Sequence, residues 1–223
     1  MKIVIFGASG VIGDGFLRES LHAADVTEVV AVGRSPLDVT DPKLRQVVHD
    51  DFTPIAGELA GADACFWGLG VSAVGMSPED YERITFDYTM AAARTLASIN
   101  PDLTFVYVSG GGTNPDGRAR WARVKGRIEN EIIAMFPNGY ALRPGFVRPM
   151  HGRDSKTRMY RLATPLFPAI AFLVGLLRLT PVLMTSTTQM GQVALQLARH
   201  GYPRHVLENR DIVAADQAGR RGR

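Results

Sequence analysis

The chain has 223 residues, 46% hydrophobic and 21% charged, with a formal net charge of +3. That is enough to bury one good core, so a single domain is expected, and so mild a charge gives no ground for nucleic-acid binding. One cysteine, Cys65, in an apolar run excludes a disulfide framework and a thiolate metal site.

The chain begins MKIVIFGASGVIG. Ile3, Val4, Ile5 and Phe6 predict a strand that runs straight into Gly7-x-x-Gly10-x-x-Gly13. A helical pattern follows through Phe16, Leu17, Ser20 and Leu21. Gly7 allows a sharp turn off the strand, Gly10 lets backbone approach a pyrophosphate, and Gly13 lets the helix pack closely on the sheet. The helix start, with Ser9, Val11 and Ile12 among the glycines, offers unpaired N–H groups and a positive dipole end to phosphates. With strand residues at the very beginning, no secretory signal fits, and a cytoplasmic location is expected.

Glu28–Gly33 (EVVAVG) reads as a second strand, Gln46–His49 as a short third and Ala62–Trp67 (ADACFW) as a fourth. Pro78–Ser98 reads as one long helix, with Pro in its first turn and Ser77 as its cap. Leu103–Ser109 predicts strand five, Ala119–Met135 the next helix and Tyr140–Arg143 strand six. Beyond Pro144 come a basic stretch, an apolar stretch, a helix (Thr188–His200) and a last strand near His205–Leu207. The tail with Arg220, Arg221 and Arg223 reads as disordered. The alternation predicts an α/β fold: a Rossmann-type doubly wound parallel sheet, one domain over residues 1–223. Residues 145–185 are expected to form a small helical substrate or interface lobe over the carboxyl edge of the sheet, where such sheets bind ligands.

Strand two ends Val32-Gly33-Arg34-Ser35. A carboxylate here would bond the ribose 2′-hydroxyl of NAD, whereas an Arg favours the 2′-phosphate of NADP. Arg34 has no acidic neighbour until Asp38, and Ser35 adds a hydroxyl, so NADP is favoured with NAD as the alternative. Asp50-Asp51-Phe52 follows strand three, with Asp51 placed to accept the adenine amino group and Phe52 to pack on the ring; a turn-capping Asp is the competing reading. Strand four empties into Gly68-Leu69-Gly70, small enough for backbone to lie against the adenine ribose.

Taken together, GASGVIG at 7–13, Asp51, FWGLG at 66–70, Ser109 ending strand five, Lys125-Gly126 in VKGRIE and RPGFVRP at 143–149 resemble the short-chain dehydrogenase/reductase superfamily. Within it the chain is similar to the atypical branch of Tat-interacting-protein-like oxidoreductases and NAD-dependent epimerase/dehydratase-like proteins. The resemblance implies that Ser109 polarises a substrate carbonyl and that Lys125 holds the nicotinamide ribose. It also places Pro144, Gly145, Phe146 and Val147 beside the cofactor. The superfamily's proton-transferring Tyr, four residues before the Lys, is Trp121 here. An indole N–H donates a hydrogen bond but releases no proton near neutral pH.

Three readings of that departure stand. Another group gives the proton, with Tyr107, His151 and water as candidates; or Trp121 is a flat wall for a ring-shaped substrate; or the protein binds NADP(H) without chemistry. The function expected is therefore an NADPH-dependent reductase of a small apolar or aromatic acceptor, the alternative being a regulatory or scaffold protein. Nucleotide-sugar epimerisation fits poorly, since it normally needs the same Tyr and a substantial C-terminal substrate domain, and 80 residues follow strand six. Arg148, Arg153, Lys156, Arg158 and Arg161 precede the apolar run Leu162–Leu177. That run is too short, and too broken by Pro165, Pro168 and Arg178, to span a bilayer. A packed segment, a homodimer interface or a peripheral membrane contact is expected in its place. No zinc-ligand spacing, P-loop or nucleophile elbow occurs in the sequence.

Overall fold

The computed structural model describes residues 1–49, 56–150 and 183–221. Its central sheet is built from β1 (Lys2–Phe6), β2 (Glu28–Gly33), β3 (Leu44–Val48), β4 (Ala64–Trp67), β5 (Thr104–Val108), β6 (Asn138–Arg143) and β9 (Val206–Glu208). These run parallel in the order β3-β2-β1-β4-β5-β6-β9. The Rossmann-type expectation is borne out. Successive side chains of a strand point to opposite faces, and both faces of this sheet are covered. Ile3 and Ile5 enter one core with Phe16, Phe66, Val106 and Leu142. Val4 and Phe6 enter the other with Trp67, Phe105, Ile128 and Ile132. That is why the central strands read as unbroken apolar runs.

Helix α1 (Val11–His22) follows β1, and α2 (Ala56–Leu59) precedes β4. The long helix expected over Pro78–Ser98 is interrupted. It comprises α3 (Pro78–Glu82), a π-helical turn (Arg83–Asp87) and α4 (Tyr88–Ile99). Ser77 caps it as expected, accepting the Asp80 N–H at 3.1 Å. The extra residue of the wide turn re-phases the helix. Tyr81, Thr85 and Thr89 are buried at four-residue spacing, and then Met90, Ala93 and Leu96 take over the inward face.

Helix α5 (Arg120–Met135) leads to β6. A small separate sheet that the sequence pattern did not announce pairs β7 (Phe146–Arg148) with β8 (Met184–Ser186). Helix α6 (Thr187–His200) starts with a capping box: the Gln189 N–H donates to Ser186 Oγ, and the Ser186 N–H to Gln189 Oε1. It crosses α1 at close range, since a Cβ on Gly191 would come 2.6 Å from the Gly15 oxygen. Arg223 lies outside the described residues, and Arg220 and Arg221, read as disordered, are the end of α7 (Asn209–Arg221). Ile212 and Ala215 are buried along it, and Arg220 pairs with Asp216 one turn back at 3.1 Å. Among the described residues, no helix is long and apolar enough to cross a membrane. The run Leu162–Leu177 and the basic residues from Arg153 to Arg161 lie outside the described residues.

Candidate functional site

The strand order reverses between β2-β1 and β4-β5, which opens a crevice beyond the carboxyl ends of β1 and β4. Gly7 turns the chain off β1 at φ +79°. A Cβ on Gly7 would lie 2.6 Å from the Leu69 nitrogen, and one on Gly13 only 2.0 Å from the Gly7 oxygen. The glycine turn, the start of α1 and the Gly68-Leu69 segment are thus drawn together with no side chain between them. Gly10 is different. A Cβ there would meet only the Gly7 oxygen, at 3.2 Å, and then open space. Gly10 is also the N-cap of α1, and no side chain caps that helix. The first-turn N–H groups of Val11, Ile12 and Gly13 have no acceptor within the helix. An open backbone cradle at a helix N-terminus fits a pyrophosphate.

A cleft of about 370 Å³ extends from this turn along the end of β2, lined by Ser9, Gly33, Arg34, Ser35, Asp38 and Leu69 among others. Gln46 fixes its rim: its side chain accepts the Leu37 N–H at 2.7 Å and donates to the carbonyls of Leu37 and Val39. Arg34 and Ser35 are exposed into it, and Arg34 makes no ion pair among the described residues. The fold also brings Asp38 into the lining, so the cleft carries one guanidinium and one carboxylate. Gly70 is exposed beyond Leu69, with open space where its Cβ would stand.

At the end of β5, Ser109 is buried, and its Oγ lies 2.9 Å from Thr113 Oγ1. Lys125 reaches the same edge from α5. Its Nζ donates to the carbonyls of Ser109 at 3.1 Å and Val108 at 3.3 Å, and sits 5.8 Å from the centre of the Tyr107 ring. Burial lowers its pKa to about 8, opposed by the charge of Glu129. Trp121, one helical turn earlier, is half-buried. The far edge of its indole comes within 3.8 and 3.9 Å of where Cβ atoms on Gly110 and Gly112 would be. The fold therefore brings Ser109, Trp121 and Lys125 to one sheet edge.

Other expected residues fall differently. Tyr107 is not a usable proton source: it is buried in the core, and burial, with Tyr81 and Glu129 nearby, pushes its hydroxyl well above the ordinary range. Pro144 accepts the Gly111 N–H at 3.0 Å. Gly145 donates to Asn209 Oδ1 at 2.8 Å, and Asn209 in turn donates to the Met184 carbonyl. Phe146 is exposed, whereas the Val147 side chain enters the core and leaves only its backbone to face a ligand. Asp51, Phe52 and His151 lie outside the described residues.

Sequence reasoning missed a buried ion pair behind the site. Arg143 holds both oxygens of Glu129, Nε to Oε1 at 2.9 Å and Nη2 to Oε2 at 2.5 Å, and donates to Glu208 Oε1 at 2.8 Å. The available signal was the four-residue step from Lys125 to Glu129, which puts both on one side of a helix.

The fold is one shared with solved short-chain dehydrogenases/reductases and nucleotide-sugar epimerases. A short chain dehydrogenase/reductase from Saccharomyces cerevisiae superposes with a TM-score of 0.68 at 15% identity, over 96% of this chain and 98% of that one. UDP-glucuronic acid 4-epimerase from Bacillus cereus, solved in complex with NAD, gives 0.68 at 13% identity, over 93% and 78%. No family model matches the sequence. Protein FMP52-2, mitochondrial, of Scheffersomyces stipitis is 30% identical over 218 residues, 92% of this chain and 90% of its own. The chain belongs to the FMP52 family. The cytoplasmic expectation is thereby corrected, since the family members it matches, including those of Saccharomyces cerevisiae and Debaryomyces hansenii, are named mitochondrial. Strand residues at the start of a chain say how it folds and carry no address.

Proposed function

We propose that the chain binds NADP(H) along the Gly7–Gly13 crevice and is an NADPH-dependent reductase of a small apolar or aromatic acceptor. The observation that carries the cofactor reading is Arg34, exposed and without an ion pair among the described residues, in the cleft that continues from the glycine turn. The cradle over Gly10 would hold the pyrophosphate on the N–H groups of Val11, Ile12 and Gly13. Arg34 and Ser35 would bind the 2′-phosphate, and backbone at Gly68-Leu69-Gly70 would lie along the adenine ribose. The NAD bound to the Bacillus cereus epimerase of like fold supports a nicotinamide dinucleotide.

Lys125 would donate to the nicotinamide ribose with the N–H left over from its two carbonyl bonds. Ser109, in a hydroxyl pair with Thr113, would donate to the acceptor oxygen. Such a cofactor supplies hydride when bound. Trp121 offers a flat apolar surface and no transferable proton, so the proton comes from solvent or from a group beyond the described residues. That feature favours acceptors whose reduced form takes its proton from water, such as quinones.

The second reading, a cofactor-binding regulatory protein, draws on the same tryptophan. Titration with NADPH and NADH tests the cofactor, and NADPH oxidation against a panel of quinones, flavins and carbonyl compounds tests the chemistry. Tight NADPH binding with no turnover across the panel would favour the regulator; failure to bind either nucleotide would refute both.

A further inference from the structure

Four alternating charges run from the edge where Ser109 and Lys125 meet, through buried Glu129 and partly buried Arg143, out to half-exposed Glu208. Lys125 on α5 is followed one turn later by Glu129, whose side chain is 3% exposed. Glu129 is clamped through both oxygens by Arg143 of β6, and Arg143 continues to Glu208 of β9. Burial favours the neutral amine at Lys125, and a carboxylate one turn away opposes it. An unclamped Glu129 could swing to Lys125 and occupy its N–H groups. The two-pronged bond to Arg143 fixes the carboxylate in place. Lys125 makes no ion pair among the described residues, and its bonds go to the carbonyls of Val108 and Ser109.

The other groups around Lys125 are accounted for. From β5 it meets the Tyr107 ring, and Tyr81 of α3 acts on Tyr107 in turn; burial pushes both phenols up, so they stay neutral in the working range. Ser109 and Thr113 are hydroxyls. Among the described residues, Glu129 is the ionised group that acts on Lys125, with Arg143 and Glu208 behind it.

We propose that Glu129, clamped by Arg143, is a positioning residue that keeps Lys125 charged and free to donate to the dinucleotide near neutral pH. The last step rests on the reading of Lys125 as the ribose donor. Arg143 has a second task in the same place: it begins the Arg143-Pro144-Gly145 turn that packs against Gly111 and Asn209. One side chain therefore ties the charge at Lys125 to the segment expected beside the nicotinamide.

The test is an NMR titration of the Lys125 side chain in the nucleotide-free protein, its signal assigned by Lys125→Arg. Wild type should titrate near pH 8. Glu129→Gln should move the midpoint down by about one unit. Glu129→Gln/Arg143→Gln, which also removes the stranded guanidinium and guards against misfolding, should shift it in the same direction. NADPH affinity, followed by nicotinamide fluorescence, should weaken as pH rises through the Lys125 midpoint, and Glu129→Gln should bind about threefold more weakly at pH 7.5. A purely structural ion pair would change stability and leave the Lys125 titration where it was. An unchanged Lys125 midpoint in a folded Glu129→Gln protein would overturn the charge-setting role. A shifted midpoint with no change in NADPH affinity would overturn its link to the dinucleotide, and no NADPH binding by wild type would overturn the cofactor reading itself.

Discussion

Lys125→Met isolates the cost of placing an ammonium group at the edge of β5. Met keeps most of the apolar stem and removes the charge. In the folded chain burial lowers the Lys125 pKa to about 8, from an ordinary 10.5. Between those values the unfolded chain holds the proton more tightly than the folded one, so folding is penalised at pH 7 and the penalty is relieved as pH rises through that window. A gap of about 2.5 units corresponds to at most about 3 kcal/mol at pH 7, falling to about 1 kcal/mol at pH 9.5. Any difference between the bonds of the charged and the neutral amine to the Val108 and Ser109 carbonyls is already contained in the shifted pKa, so the comparison of the two pH values reads protonation alone. Urea unfolding of both proteins at pH 7 and pH 9.5 gives the difference directly. Wild type should gain about 2 kcal/mol on the Met variant between the two. A stability difference that does not change with pH would show that Lys125 is not held in a desolvated place, and the account of its charge would fail.

Arg34→Asp should weaken NADPH binding about ten- to a hundredfold and favour NADH, through loss of a charged hydrogen-bond pair; equal affinities for the two nucleotides in wild type would refute the assignment. Gly10→Val should abolish nucleotide binding and leave the circular-dichroism spectrum intact, because its side chain enters open cleft, whereas Gly13→Ala should also lower the melting temperature, since its Cβ would stand 2.0 Å from the Gly7 oxygen. If a turnover assay is found, Trp121→Phe should keep much of the rate, and a pH-dependent collapse in that variant would give the indole a part in proton transfer. Ending the chain at Glu208 should destabilise it by at least about 3 kcal/mol, because Ile212 and Ala215 leave the core and Asn209 no longer bridges Gly145 and Met184; an unchanged unfolding midpoint would show α7 to be dispensable.

The sequence by itself determined the sheet and the glycine cradle, because both are written locally. An apolar run covered on two faces leaves no polar face to mark, and Ile3 to Phe6 followed by three spaced glycines has few other ways to fold. Ser109, Trp121 and Lys125 were picked out by the resemblance to a known superfamily, and the fold brings them to one edge because Ser109 ends β5 while Trp121 and Lys125 stand one turn apart on α5. Tertiary structure alone decided the rest. The alanine- and arginine-bearing tail carried no strong local signal, and it became α7 because the end of the sheet offered Ile212 a place to bury. The continuous Pro78–Ser98 pattern hid the π turn, since the need to re-phase arises only when Tyr81 and Met90 must face the same core. Tyr107 was a candidate proton donor on paper and a core residue in space. The Glu129–Arg143–Glu208 chain joins α5, β6 and β9 across residues far apart in sequence; the four-residue step from Lys125 to Glu129 places Glu129 on its helix, but nothing local marks Arg143 and Glu208 as its partners. Its members lie together because parallel strands deliver their carboxyl ends to one edge, and that edge is where the charge on Lys125 is set.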